Sequence, residues 1–165
     1  MVFVTVGNAS QGFRRLLDAV DALAGGGLFK DEVVIQSGNN PTFRAFYCMQ
    51  EAFLSMEQFS EMISKADLVI SHAGAGTLLQ VLQAGKIPLV MPRRKQYGEV
   101  VDDHQLELVK ALAAEGRVIP AYEPEDLPEA IEEARRRNTQ PVPPPPSRML
   151  ELVARAVEEL LSQKK

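Results

Sequence analysis

The chain of 165 residues has a single cysteine, two histidines and no tryptophan. The one cysteine, Cys48, cannot form a disulfide within the chain, which excludes the disulfide-stapled secreted folds and fits a reducing compartment. We interpret Cys48 as a small apolar residue of the core. The cysteine and histidines show no metal-ligand spacing, and the G-x-S-x-G motif of serine hydrolases is absent. We therefore expect neither a metal site nor a serine hydrolase.

Long apolar runs and an excess of positive charge are also missing. No run approaches the ~20 residues of a transmembrane helix, and the first residues, MVFVTVG, lack the basic start of a signal peptide. We therefore expect a cytoplasmic protein that reaches a membrane only if a partner brings it there. The net charge of −4 offers no basic surface for a phosphate backbone, so we expect no nucleic-acid partner.

The composition is that of one globular domain, with 45% hydrophobic and 24% charged residues. Short β-branched runs alternate with stretches of helical periodicity, which predicts an α/β fold with a single parallel, Rossmann-like sheet. The predicted strands cover residues 2–6, 33–35, 68–70, 88–92 and 118–119, with an ambiguous strand between 48 and 53. The predicted helices cover residues 13–23, 59–63, 77–84, 101–115 and 127–137.

The predicted domain spans residues 1–140, and two further segments follow it. Residues 141–146 are rich in proline and are either a semi-rigid spacer or a ligand for a proline-recognising module; we favour the spacer. Residues 147–165 have an apolar stripe at helical spacing, which predicts a C-terminal amphipathic helix. This stripe has to be buried, either on the domain itself or on a partner chain.

In parallel α/β sheets, ligands bind beyond the carboxyl ends of the strands, so the loops after residues 6, 70 and 91 are candidate sites. The loop after residue 70 reads SHAGAGT and leads directly into a helix. Its small residues let the backbone approach a ligand, and the free N–H groups of a helix start favour an anion such as pyrophosphate. The same pattern also fits tight packing without a ligand. It matches neither a Walker P-loop nor the dinucleotide motif G-x-G-x-x-G.

Several polar residues near these loops have both a functional and a structural interpretation. His72 can bind a phosphate or be a packing residue, and Gln80 can bind ribose hydroxyls or face solvent. The group at residues 102–105, Asp-Asp-His-Gln, suits sugar hydroxyls, although acidic residues also favour any helix start. The basic runs at residues 93–95 and 135–137 are either solvated patches or contacts for phosphates or anionic lipid.

Taken together, SHAGAGT at residues 71–77, GKxPLVxP at 85–92 and HQ at 104–105 resemble the C-terminal half of glycosyltransferase family 28. With VTVG at residues 4–7, the resemblance narrows to the catalytic subunits of two-chain UDP-GlcNAc transferases of the dolichol pathway and their bacterial exopolysaccharide relatives. It covers roughly residues 1–120. It implies the donor-binding half of a GT-B enzyme, with a UDP-sugar as donor substrate and no separate cofactor. It also implies a membrane-associated partner subunit that holds a lipid-linked sugar acceptor.

The resemblance further implies roles for individual residues. The diphosphate would be held by His72, Gly74, Ala75, Gly76 and Thr77. Ribose would contact Gln80, where family members usually have glutamate, so the neutral amide implies a weaker contact. The donor sugar would face Asp103, His104 and Gln105. The first loop of the cleft would contain Gly7 and Asn8, and uracil would meet the backbone near Met56.

From these observations we expect the donor-binding catalytic subunit of an inverting, metal-independent glycosyltransferase that extends a polyprenyl-diphosphate-linked acceptor in polysaccharide or glycan assembly. His72 would stabilise the leaving UDP. The chain offers no convincing general base, so we expect the base on the partner. An alternative is a non-catalytic subunit that stabilises a partner glycosyltransferase. A third is a fragment related to UDP-sugar 2-epimerases, although the chain contains only half of the cleft those enzymes need.

Overall fold

A computed structural model of the chain describes residues 1–139. The proline-rich segment at 141–146 and the predicted helix at 147–165 lie outside the described residues. Within the described residues, six parallel strands form one sheet. They are β1 (Val2–Thr5), β2 (Val33–Gln36), β3 (Met49–Glu51), β4 (Leu68–His72), β5 (Leu89–Met91) and β6 (Ile119–Pro120).

The strand order is β3-β2-β1-β4-β5-β6, so the chain starts near the middle of the sheet, builds outward to β3 and then returns to the other side of β1. The direction of winding therefore reverses between β1 and β4. Loops leaving these two strands diverge to opposite faces of the sheet, which opens a crevice at their carboxyl ends. The topology thus places a candidate site between residues that follow Thr5 and residues that follow Ser71.

In the part of the chain that the structure describes, five α-helices cover the two faces of the sheet. They are α1 (Arg14–Gly25), α2 (Met56–Lys65), α3 (Ala75–Gln83), α4 (His104–Ala114) and α5 (Leu127–Arg137). Helices α1 and α5 pack on one face, against alternate strand residues such as Val4 and Ile70. Helices α2, α3 and α4 pack on the other face, against Phe3, Val69 and Val90. Because both faces are covered, the inner strands are apolar and buried along their length.

This architecture confirms the predicted α/β class and parallel sheet, with small differences at the element ends. The ambiguous segment contains the edge strand β3. Helix α2 begins at Met56, before the apolar stripe that predicted it, because Ser55 and Gln58 form a capping box. Helix α4 begins at His104, later than predicted. Within residues 1–139, no helix is long and apolar enough to cross a bilayer.

Cys48 is half-buried and packs against the main core. Burial, together with the neighbouring Asp21 carboxylate, raises the pKa of the Cys48 thiol to about 12. The thiol therefore stays protonated near neutral pH and is a poor nucleophile. This agrees with the interpretation of Cys48 as an apolar packing residue.

Lys86, in the loop before β5, closes the end of α2. Its Nζ donates hydrogen bonds to the carbonyl oxygens of Ile63, Ser64 and Ala66, at 2.5, 2.7 and 2.6 Å. The end of a helix leaves such carbonyls without partners, and a cation there also complements the helix dipole. The lysine of the GKxPLVxP motif thus has a structural role, because it joins α2 to the segment between α3 and β5.

Replacing Lys86 with methionine should lower the free energy of unfolding by about 1–2 kcal/mol, because charge-assisted hydrogen bonds are lost while the apolar stem is kept. Urea denaturation followed by circular dichroism measures the change. Lys65→Met is the matched control, because Lys65 lies on the exposed side of α2 and pairs with Glu61 one turn away. Its loss should cost about 0.5 kcal/mol or less. Equal losses in the two variants would contradict the capping role of Lys86.

Candidate functional site

A cleft of about 270 Å³ opens at the carboxyl ends of β1 and β4. Three segments form its walls: the loop after β1, the start of α2 and the turn between β4 and α3. The lining residues are Gly7, Asn8, Gln36, Leu54, Met56, Phe59, His72, Gly74, Gly76, Thr77 and Gln80. His72 is the one titratable side chain in this set. The groups of the lining that can contact an anion are therefore backbone N–H groups and neutral hydrogen-bond donors.

Most of the sequence-predicted site residues line this cleft, including Gly7, Met56, His72 and Gln80. Ala75 is the first residue of α3 and is buried beneath the turn. The cleft also contains three residues that sequence reasoning missed, which are Gln36, Leu54 and Phe59. Gln36 ends the strand beside β1, so the rule that ligands bind at strand carboxyl ends could have found it. The other two depend on how α2 packs, which no motif indicates.

The imidazole of His72 lies between two glycines. Gly7 has a φ of 68°, a left-handed conformation that glycine adopts readily, and a Cβ there would lie 2.5 Å from Cε1 of His72. A Cβ at Gly74 would overlap the same ring. Gly76 is different, because nothing lies within 4 Å of the place where its Cβ would be. In the SHAGAGT loop, packing therefore explains Gly74 but leaves Gly76 without a structural reason.

Helix α3 starts at the edge of the cleft without a side-chain cap. Gly74 is the N-cap, and the first helical bond is donated by Leu78 N–H to the Gly74 carbonyl. The N–H groups of residues 75–77 therefore have no partner within the helix. Together with the positive end of the helix dipole, they form a suitable site for an anion.

His72 is neutral near physiological pH. Burial and, second, the positive charge of Arg93 lower the pKa of His72 to about 4, and the backbone of Thr5 acts in the opposite direction. Its Nδ1 is buried and has no hydrogen-bond partner among the described residues. A neutral imidazole has one donor and one acceptor nitrogen. His72 can thus provide a ligand with a hydrogen bond, but not with a positive charge.

A chain of hydrogen bonds orders the opposite wall of the cleft. The Oγ1 of Thr5 accepts from the Gly7 N–H at 3.1 Å and donates to Oε1 of Gln36 at 2.7 Å. Gln36 Nε2 in turn donates to Oδ1 of Asn8 at 3.2 Å. The oxygen end of the Asn8 amide is thereby occupied, which leaves its NH₂ group available as a donor. Across the cleft, the buried Oε1 of Gln80 has no partner among the described residues and remains an available acceptor.

The predicted sugar-facing group is not part of the cleft lining. Asp103 Oδ1 accepts from the Lys95 N–H at 3.0 Å, and Gln105 Oε1 accepts from the Arg93 N–H at 3.1 Å. Both side chains therefore hold the loop between β5 and α4 in place. His104 is half-exposed and lies near two carboxylates. That these residues face a donor sugar stays a prediction.

The interpretation of residues 93–95 as a surface or phosphate-contacting patch is wrong for Arg93, which is 1% exposed. Its neighbour Arg94 is half-buried and pairs with Glu123, while Lys95 is exposed. The second basic run is also mostly engaged within the chain, because Arg135 and Arg137 donate to backbone carbonyls. Sequence shows the charge of such runs but not the carbonyl oxygens that the fold brings to them.

The family model for the glycosyltransferase family 28 C-terminal domain matches residues 1–160. The chain belongs to this family. It is 36% identical, over 125 residues, to the human UDP-N-acetylglucosamine transferase subunit ALG13, covering 71% of this chain and 10% of the human protein. It is 46% identical over 76 residues to the ALG13 subunit of Cryptococcus neoformans, covering 45% of this chain and 36% of that protein. The family 28 chain thus spans a minor part of both relatives.

Solved structures share the fold of this family 28 domain at low sequence identity. The glycotransferase of kitacinnamycin aligns with a TM-score of 0.62 at 15% identity, over 96% of this chain and 37% of that one. MurG of Acinetobacter baumannii aligns with a TM-score of 0.54 at 21% identity, over 92% of this chain and 49% of that one. At such identities the likeness concerns the fold alone. It confirms the predicted equivalence to one half of a GT-B glycosyltransferase.

The low pKa of His72 predicts a specific loss of stability in acid. Between about pH 6.5, the ordinary histidine pKa, and pH 4, the unfolded chain binds a proton that the folded chain resists, so stability falls as the pH is lowered through this window. The difference corresponds to about 3 kcal/mol. Urea denaturation of wild type and His72→Gln between pH 7 and 4.5 measures it, and the variant should show a shallower fall. Parallel curves for wild type and His72→Gln would contradict the shift.

Proposed function

We propose that this chain is the donor-binding catalytic subunit of an inverting UDP-sugar glycosyltransferase, and that the cleft between β1 and β4 holds the UDP moiety. The supporting observation is the uncapped start of α3, where Gly76 leaves open space beside the neutral donor His72. A site of this kind suits a diphosphate. Because the ALG13 relatives are named as subunits of a UDP-N-acetylglucosamine transferase, UDP-N-acetylglucosamine is the donor to test first.

The lining of the cleft suits the parts of a uridine diphosphate in order. The diphosphate would lie against the backbone of Gly76 and Thr77, with a hydrogen bond from His72. The free Oε1 of Gln80, one turn further along α3, would accept a hydrogen bond from a ribose hydroxyl. Uracil would pack beside the apolar side chains of Leu54 and Met56 at the start of α2.

In the proposed reaction, an acceptor hydroxyl attacks the anomeric carbon of the donor sugar while the bond to the β-phosphate breaks from the opposite face. Negative charge develops on the leaving UDP, and the preorganised amides of α3 together with His72 would stabilise it. The hydroxyl proton must pass to a base. His72 is a poor candidate because of its low pKa and its place at the leaving group, so we assign the base to a partner chain. That no metal takes part stays a prediction.

The partner in this proposal is a membrane-associated subunit that binds a polyprenyl-diphosphate-linked sugar at the cytoplasmic face of the membrane. The supporting observation is that both ALG13 relatives are named as subunits of a transferase. A GT-B cleft has a second wall, and the residues proposed here bind the donor alone. The acceptor and the base would then both come from the second wall.

Gly76→Ala tests the diphosphate site, because its Cβ meets nothing in the protein but would occupy the space assigned to a phosphate. The variant should keep wild-type thermal stability, since alanine favours a helix more than glycine does. Its affinity for UDP, measured by calorimetry, should fall at least about tenfold. Gly26→Ala is the matched control, because Gly26 is exposed, has a helical φ and lies at the far end of α1. If wild type binds UDP and Gly76→Ala binds it equally well, the diphosphate lies elsewhere.

Sugar transfer to a lipid-linked acceptor, measured with the chain alone and with its partner, tests the two-chain mechanism. Activity is expected only when both chains are present. In the complex, His72→Ala should lower turnover by about 10²-fold, whereas Cys48→Ala should have little effect. Full activity of the isolated chain would refute the two-chain proposal. No UDP binding by the complex would favour a stabilising, non-catalytic role.

A further inference from the structure

We propose that Arg93 is a positioning residue for the donor cleft, because its buried guanidinium joins the loop after β1, which forms one wall of the cleft, to the loop after β5. The inference rests on the proposed function in one respect, namely that the cleft binds UDP. The contacts of Arg93 stand independently of that function. Neither Arg93 nor the residues whose carbonyls it bonds, which are Val6, Gln11, Gly12 and Glu99, belong to the lining of the cleft.

The Arg93 guanidinium donates to four backbone carbonyls, three in the loop after β1 and one in the loop after β5. Nη2 bonds the carbonyl of Val6 at 2.9 Å. Nη1 lies within bonding distance of the carbonyls of Gln11, Gly12 and Glu99, at 2.9, 3.0 and 3.2 Å. The ring of Phe13 packs against the guanidinium, with its centroid 4.8 Å away. The side chain is 1% exposed, so these contacts are made in the absence of competing water.

The loop after β1 needs such a donor. Residues 6–12 follow the end of β1 and belong to no strand, and the carbonyls of Val6, Gln11 and Gly12 accept hydrogen bonds from the buried Arg93 side chain. Buried carbonyls without a partner are costly, and a guanidinium provides several donors in a rigid fork. The bonded carbonyl of Val6 directly precedes Gly7, where an added Cβ would lie 2.5 Å from Cε1 of His72. A shift of this loop would therefore move the wall that encloses the His72 ring.

The loop after β5 is held by the same residue and by its neighbours. Gln105 accepts from the Arg93 N–H at 3.1 Å. Arg15, on α1, forms a two-pronged ion pair with Glu99, with both N–O distances at 2.9 Å, and also donates to the Pro92 carbonyl. The hydrogen bonds of the Arg93 guanidinium therefore connect the loop after β1 to the loop after β5.

Arg93 also acts on His72 through its charge. Burial lowers the pKa of Arg93 to about 10, with Glu99 opposing the change, so the guanidinium remains protonated at neutral pH. Among the described residues, Arg93 is the one charged group that contributes to the lowered pKa of His72. The side chains that line the cleft beside His72 are uncharged. A variant without this charge should therefore raise the pKa of His72, whereas a lysine should not.

Two variants separate charge from geometry. Arg93→Gln removes the charge and most of the donors, while Arg93→Lys keeps the charge but lacks the fork. Arg136→Gln, at an exposed position of α5, is the matched control. The pKa of His72 is read from its imidazole NMR signals, which are assigned with His104→Gln because the chain has two histidines. Amide hydrogen exchange at residues 6–12 and 99–105 measures how well the two loops are held in place. Calorimetry with UDP measures the affinity of the cleft.

The proposal predicts faster exchange in both loops and at least about tenfold weaker UDP binding in both Arg93 variants, with control values like wild type. The pKa of His72 should rise by about 1 in Arg93→Gln and stay low in Arg93→Lys. Wild-type exchange and UDP affinity in Arg93→Lys would overturn the positioning role, since charge alone would then suffice. If Arg93→Gln does not fold, loop exchange and UDP affinity in Arg93→Lys still test the positioning role of Arg93. If wild type fails to bind UDP, the proposed function fails, while loop exchange and the His72 pKa still test Arg93.

Discussion

The imidazole of His72 lies between two residues that have no side chain, and the positions of the neighbouring loops follow from that contact. Gly7 lies in the loop that follows β1, and Gly74 is the N-cap residue of α3. A Cβ added at either glycine would overlap the same ring, so the loop after β1 and the turn before α3 both lie close to His72, where the sheet reverses direction. Both glycines also line the cleft.

The electrostatics of the cleft differ from those of a site built from lysines and arginines. The lining contains no permanently charged side chain, and His72 is held neutral by burial. An anion would instead meet the free N–H groups at the start of α3, which are fixed in place before the ligand arrives. The nearby cation, Arg93, donates its hydrogen bonds to backbone carbonyls. Such a site attracts an anion through oriented dipoles, in a chain whose net charge is −4.

Much of the fold can be predicted from the pattern of apolar residues, because the same residues must be apolar in order to be buried. The inner strands are covered on both faces, which requires continuous apolar runs, and such runs are visible in the sequence. The small residues of SHAGAGT predicted the turn between strand and helix, because close packing in such a turn excludes larger side chains, as at Gly74 beside His72. The element ends were harder to predict, because they depend on local hydrogen bonds. The capping box of Ser55 and Gln58, for instance, starts α2 ahead of its apolar stripe.

The missed and misread residues share a different cause. Arg93 belongs to a basic run that is typical of a surface, and its burial depends on carbonyls up to 87 positions away in the chain. Gln36 joins the site through a hydrogen-bond chain from Thr5 to Asn8, and these three residues meet only when β1 and β2 pair. Asp103 and Gln105 also accept hydrogen bonds from backbone N–H groups of the loop between β5 and α4, which no sequence pattern shows, and their place beside a donor sugar stays a prediction. Each of these roles is set by a partner that lies elsewhere in the sequence.

By itself, the sequence determined the α/β class, the parallel sheet, the place of the glycine-rich turn between strand and helix and the family 28 motifs, since each depends on neighbouring residues and on local periodicity. Only the tertiary structure decided that Gly74 is required by packing while Gly76 is not, that His72 is neutral, and that Arg93 is buried behind the cleft. The physical reason is that burial, close contact and the field of a charge are properties of residues brought together across the fold. No local pattern records them.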